Sequence, residues 1–126
     1  MSVTAPSRRA KLEAVALTKA TLRAAQRLGV KNRVLAAVIG VSEATVSRMG
    51  KSEFILVPDS KSFELSAMFV RLFRDLDAIV GGEESVAKAW LGNVNTALGD
   101  APINLIQSVS GLVNVVQYLD SRRARI

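Results

Sequence analysis

Six side chains in one short window set the chemistry open to this chain. Ser42, Glu43, Thr45, Ser47, Arg48 and Lys51 bring three hydroxyls, a carboxylate and two cations together. Such groups hydrogen-bond to base edges and pair with phosphates. They follow Ala36 and Gly40, which are spaced four apart. A helix-turn-helix needs a small residue where its second helix crosses the first, and a residue tolerant of positive φ at the turn. Leu35, Ile39, Val41, Val46 and Met49 fill the inward positions. The stretch 32–51 therefore predicts a second helix that enters a major groove with its N-terminal part. Arg48 would reach a guanine edge or a phosphate, and Thr45 and Ser47 a base or the backbone. Glu43 would accept from a cytosine amine, or repel phosphate and sharpen register. The backbone N–H groups near Ser42 would point at a phosphate. Lys31, Arg33 and Lys51 read as phosphate contacts. A helical hairpin that never meets DNA uses the same small-residue spacing, but the filled register and the local charge favour DNA.

Other chemistries are excluded. The chain has no cysteine and no histidine. That removes disulfides, thiolate catalysis, imidazole bases and the usual zinc ligands. Asp75, Asp77, Glu83, Glu84, Asp100 and Asp120 read as scattered, solvated carboxylates. Asp75 and Asp77 are two apart and so point in different directions on a helix. Gly81-Gly82 lacks the strand and the Lys-Ser/Thr of a phosphate loop. No enzyme, cofactor or metal is expected. No apolar run approaches the roughly 18–20 residues that span a bilayer, and no apolar segment follows Arg8 and Arg9 as in a secretory signal. The expected compartment is the cytoplasm.

Charge divides the 126 residues. Residues 1–56 hold ten Lys/Arg against three acids, a net of +7, whereas residues 57–126 hold seven against eight, a net of −1. The first half can neutralise phosphates and the second cannot do so well. Two jobs are implied.

The elements that must position these groups are helical throughout. Hydrophobic residues make up 49% of the chain, enough for a packed core. Residues 8–28 alternate between an apolar stripe and a basic face through Leu12, Val15, Ala16, Thr18, Lys19, Leu22, Ala25 and Leu28. Gly29 is placed to stop that helix. Asn32 caps a helix from Arg33 to Ile39, which Gly40 ends, and Ser42 caps a third to about Met49, with Gly50 as its stop. Residues 51–59 read as an extended connector before Pro58. Ser60 or Ser62 starts a long helix to about Val80, with a broad apolar face from Phe63 to Val80. A short helix over 84–91 carries Trp90. Pro102 opens another over 103–108, and a last helix spans about 111–123. The expected fold is all-α, with a helix-turn-helix domain at 1–57 and a second helical domain at 58–126.

The second half carries a distinct order of features: Ala87-Lys88-Ala89-Trp90-Leu91, Asn93 and Asn95, Leu98-Gly99, Pro102, Leu105-Ile106, Gly111, Val115-Val116 and Tyr118-Leu119. Trp90 to Leu119 resembles the toxin-binding domain of the Xre/ParS-type (MbcA/ParS/Xre) antitoxins, and the upstream helix-turn-helix is similar to the Xre-like half of that family. Gln107-Ser108 departs from it, since the family often has a threonine there. The resemblance implies a type II antitoxin whose partner is a RES-domain toxin that consumes NAD⁺. It implies that Gly111–Ile126 obstructs the toxin's active-site entrance, through Gly111, Asn114, Gln117, Tyr118, Ser121, Arg122, Arg123, Arg125 and Ile126. Trp90, Leu98 and Pro102 would shape the domain beneath.

The resemblance also implies repression of the antitoxin's own operon. A single helix-turn-helix rarely binds tightly enough alone, so a homodimer on a palindromic operator is expected. The apolar face of 63–80 is the candidate for self-association, although most of it must be core. The competing reading is a stand-alone helix-turn-helix repressor with a dimerisation domain and no toxin partner.

Overall fold

The computed structural model describes residues 5–124, and these fold into seven helices. They are α1 (Arg8–Leu28), α2 (Asn32–Ile39), α3 (Glu43–Gly50), α4 (Lys61–Ile79), α5 (Glu84–Gly92), α6 (Pro102–Leu105) and α7 (Val109–Arg123). The one strand-like feature among the described residues is a single bridge between Asn95 and Asp100.

α4 is the wall against which the others pack. It lies against α1 and α2 on one side and α7 on the other. Leu65, Phe69, Leu72 and Leu76 recur at turns of the helix and are buried. They join one apolar cluster with Leu28, Leu35 and Ile39 from the first half and Leu112, Val115 and Leu119 from the second. Most of the apolar face expected to serve self-association is therefore in this core, while Phe63, Met68 and Phe73 stay half-buried and Ile79 is exposed.

α1 faces the core with a different stripe from the one its larger residues suggest. Leu12 is 61% exposed. The buried positions are Ala14, Thr18, Thr21, Ala24, Ala25 and Leu28. Small side chains there let α4 approach closely, and their hydroxyls tolerate burial because each has a partner. Thr18 Oγ1 donates to the Ala14 carbonyl at 2.7 Å, and Thr21 Oγ1 to the Leu17 carbonyl at 2.7 Å. Thr18 Oγ1 also accepts from the Leu56 amide at 3.0 Å. That bond pins the 51–59 connector, whose Leu56 is fully buried.

Helix ends follow the serines. Ser7, Ser42, Ser60 and Ser108 each accept a hydrogen bond from the amide three residues on, which satisfies an otherwise orphaned donor. Three boundaries differ from expectation. Asn32 lies inside α2, because Lys31 is already extended and its carbonyl accepts the first helical bond from Leu35 at 2.9 Å. Gly50 is the last residue of α3 rather than its stop; the left-handed turn comes at Ser52, with φ of 61°. α6 is only four residues long, because the Ser108 cap starts α7 at Val109.

Gly111 consequently sits in the first turn of α7 and is buried. A Cβ built there would collide with the Leu105 carbonyl oxygen. The residue is a close-packing point between α6 and α7 and presents no surface to a partner, contrary to its place in the expected toxin contact. Gly111→Ala should lower stability by about 1–3 kcal/mol, the range for overpacking a tight contact. Denaturant unfolding measures it, and an unchanged midpoint would contradict the close approach.

Candidate DNA-binding and toxin-binding surfaces

α3 is held on α2 by its apolar side. Val46 and Met49 are buried against Leu35, Ala36 and Ile39. Gly40, at φ of 73°, makes the turn between the two helices. The opposite side of α3 faces solvent. Ser42, Glu43, Arg48 and Lys51 are exposed, and Thr45 and Ser47 are half-buried. Lys31 and Arg33, at the start of α2, are exposed too.

Three of these side chains are already organised. The Ser42 hydroxyl caps α3 by accepting from the Thr45 amide at 3.0 Å and lies 2.9 Å from the Thr45 hydroxyl. Thr45 Oγ1 in turn accepts from the Arg48 guanidinium at 3.1 Å. The three lie on successive turns of one face. The arrangement leaves the other guanidinium N–H groups of Arg48 free to meet an acceptor. Glu43 in the first turn suits the positive end of the helix dipole.

A second organised surface is built at the end of α7. The Trp90 ring stacks on Tyr118 with centroids 6.2 Å apart and planes at 20°. The Arg122 guanidinium lies 4.9 Å from the centre of the same tyrosine ring and donates to its hydroxyl at 2.7 Å. Trp90 and Tyr118 are half-buried, so Trp90 supports this surface from beneath. Asn114, Gln117, Ser121, Arg122 and Arg123 are exposed. Arg125 and Ile126 lie outside the described residues.

Two ion pairs fasten α7 to α4. Arg71 grips Asp120 with two hydrogen bonds, Nε to Oδ1 at 3.1 Å and Nη2 to Oδ2 at 2.7 Å. Arg123 reaches back to Asp75 Oδ1 at 2.9 Å. Asp75 corrects the sequence reading of scattered, solvated acids: it is 4% exposed. The missed signal was its position three residues after Leu72 and one before Leu76, within the buried arc of α4. Asp75 Oδ2 is buried with no hydrogen-bond partner among the described residues. The hydrogen bond to Asp75 is the largest influence raising the Asp120 pKa; burial and the Asp75 charge raise it further, and Arg71 pulls it partly back. The two carboxyls are thus close enough to favour a protonated Asp120.

The sequence of each half fits a known domain. Residues 8–71 match the antitoxin Xre-like helix-turn-helix domain. Residues 75–125 match the antitoxin Xre/MbcA/ParS C-terminal toxin-binding domain. The chain belongs to the Xre/MbcA/ParS antitoxin family. The two matches meet in α4, between Arg71 and Asp75, where the ion pairs to α7 are anchored. No curated protein matches this antitoxin significantly. As a family member it is a type II antitoxin with a helix-turn-helix. No helix among the described residues is long and apolar enough to cross a membrane.

The raised Asp120 pKa makes this antitoxin's α4–α7 junction pH-dependent. Asp120 has a raised pKa in the fold, so its protonated form is favoured there and the stabilisation is complete below the unfolded pKa. It is lost as pH rises through the folded value. Asp120→Asn, which donates without a titrating proton, should flatten the dependence of unfolding midpoint on pH in the acidic range just above the ordinary aspartate value. A variant curve that parallels the parent would contradict the raised Asp120 pKa.

Proposed function

We propose that this antitoxin binds and blocks a RES-domain toxin that consumes NAD⁺ and, as a homodimer, represses its own operon by binding operator DNA through α3. Residues 1–57 carry the DNA work and residues 58–126 the toxin work, with α4 as their common wall. The setting is the cytoplasm, where both partners are found. The observation that carries the reading is the orientation of α3. Its apolar side is buried and its Ser42–Thr45–Arg48 side faces outward on a basic half of the chain, as a recognition helix requires.

In DNA binding, Lys31, Arg33 and Lys51 pair with phosphates and fix the register, while Ser42, Glu43, Thr45, Ser47 and Arg48 meet base edges or the backbone between them. In toxin binding, the exposed side of α7 with Asn114, Gln117, Tyr118 and Ser121 lies on the toxin. Arg122, Arg123, Arg125 and Ile126 stand at the entrance to its active site. The toxin's NAD⁺ is denied access by occlusion, so no chemistry is asked of the antitoxin itself. The Tyr118–Arg122 contact preorganises this end of α7, which lowers the ordering cost of binding.

Two variants separate the two jobs. Arg48→Ala should weaken operator binding by about 1–3 kcal/mol if Arg48 reads a base, with toxin neutralisation intact. Titration of labelled operator duplex by fluorescence anisotropy measures the loss, and unchanged binding removes Arg48 from the interface. Deleting Arg122–Ile126 should impair neutralisation of the toxin encoded beside it while sparing DNA binding. Full neutralisation by the truncated chain in a growth-rescue assay refutes the occlusion role. Operator binding with no toxin partner at all would leave a stand-alone repressor.

A further inference from the structure

The outward side of α4 carries a pattern that its buried side does not explain. Glu64, Ala67, Arg71, Arg74 and Ala78 are all exposed. Their spacing of three, four, three and four residues is that of the seam of a coiled coil, so they form one straight ridge. The ridge is acidic at its start, basic at its end and small in between. Grooves flank it on both sides. One is lined by Glu13, Ala16, Leu17, Ala20 and Val70 beside Ala67 and Arg74, with Glu13 already paired to Arg9 at 3.2 Å. The other runs along α7 to Asp120 and Arg123.

Arg74 lines both grooves and has no hydrogen-bond or ion-pair partner among the described residues. Glu64 meets only Lys61, at 3.3 Å, and both side chains are mostly exposed. Such a pair is worth little and yields readily to a better one.

We infer that this ridge is the homodimer interface, with α4 of a second copy lying antiparallel across it. The inference rests on the homodimer reading above and names the surface that reading leaves open. A two-fold axis between Ala67 and Arg71 brings Glu64 of one copy against Arg74 of the other, twice. It sets Ala67 against the aliphatic stem of Arg71 from the other copy, also twice. An isologous interface must be complementary to itself, and this ridge is. Ala67 keeps the helices close at the crossing, and the arginine stems cover it while their charged ends stay wet. Leu65, Phe69, Leu72 and Leu76 on the apolar side of α4 are unavailable for the purpose, being buried in the core. A surface that is acidic at one end and basic at the other fits its own reversed copy better than it fits the uniform charge of DNA.

Sedimentation equilibrium on the full chain tests this, with circular dichroism to confirm that each variant keeps its helix content. The parent should dimerise. Glu64→Arg and Arg74→Glu each set like charges together at two places per dimer and should weaken it by about tenfold or more. The double variant E64R/R74E reverses both ends of the ridge and should restore dimerisation to within about threefold of the parent. A parent that is monomeric at every concentration overturns the homodimer reading and this interface with it. A dimer that neither single variant weakens overturns the interface alone. A double variant that stays monomeric does the same. So does a pair of single variants that dimerise normally but lose the toxin, which would assign the ridge to that partner.

Discussion

The burial of one face of α4 constrains everything else in this antitoxin. Phe69, Leu72 and Leu76 pack with residues of α2 and α7 in one core. The recognition helix is seated on α2, and the surface proposed to meet the toxin is built on α7. Both surfaces therefore take their position from the same few apolar side chains. A packed interior transmits displacement poorly absorbed by voids, so a large change at α4 would be felt at both ends. The two family matches join inside this helix rather than at a linker.

Polar groups give that core its precision. The buried Thr18 hydroxyl both donates to its own helix and accepts from the connector. Removing its oxygen would leave the Leu56 amide unsatisfied inside the protein, a cost that a merely apolar contact would not carry. At the far side, the Arg71–Asp120 and Asp75–Arg123 pairs hold α7 where the apolar contacts thin out. Asp75 is too buried to be left alone, and Arg123 reaches back from α7 to pair with it. The end of α7 is thereby held on α4, so the Tyr118–Arg122 stack has a fixed base.

Much of this was legible in the sequence where local physics decides. Gly29 and Gly40 end their helices in the left-handed conformation. Ser42 caps α3 and Ser60 caps α4. Val46 and Met49 turn inward, which leaves the polar residues of α3 outside. What failed depended on three-dimensional company. Leu12 reads as core by its hydropathy but is exposed among the described residues, while Ala14 and Thr18 are buried because closeness matters more than size there. Asp75 reads as solvated because its partners, Arg123 and Asp120, lie more than forty residues away. Gly111 reads as punctuation or contact, and only the position of the Leu105 carbonyl shows why no side chain fits.

The central claim is that one shared core presents two separate surfaces, α3 for DNA and α7 for toxin. Amide hydrogen exchange on the full chain, with and without a duplex of its own promoter, tests it most directly. The account predicts slowed exchange over residues 41–51 and at the start of α2, with α7 unchanged. Protection that falls on α7, or that appears nowhere in α3 while the duplex is bound, would contradict it.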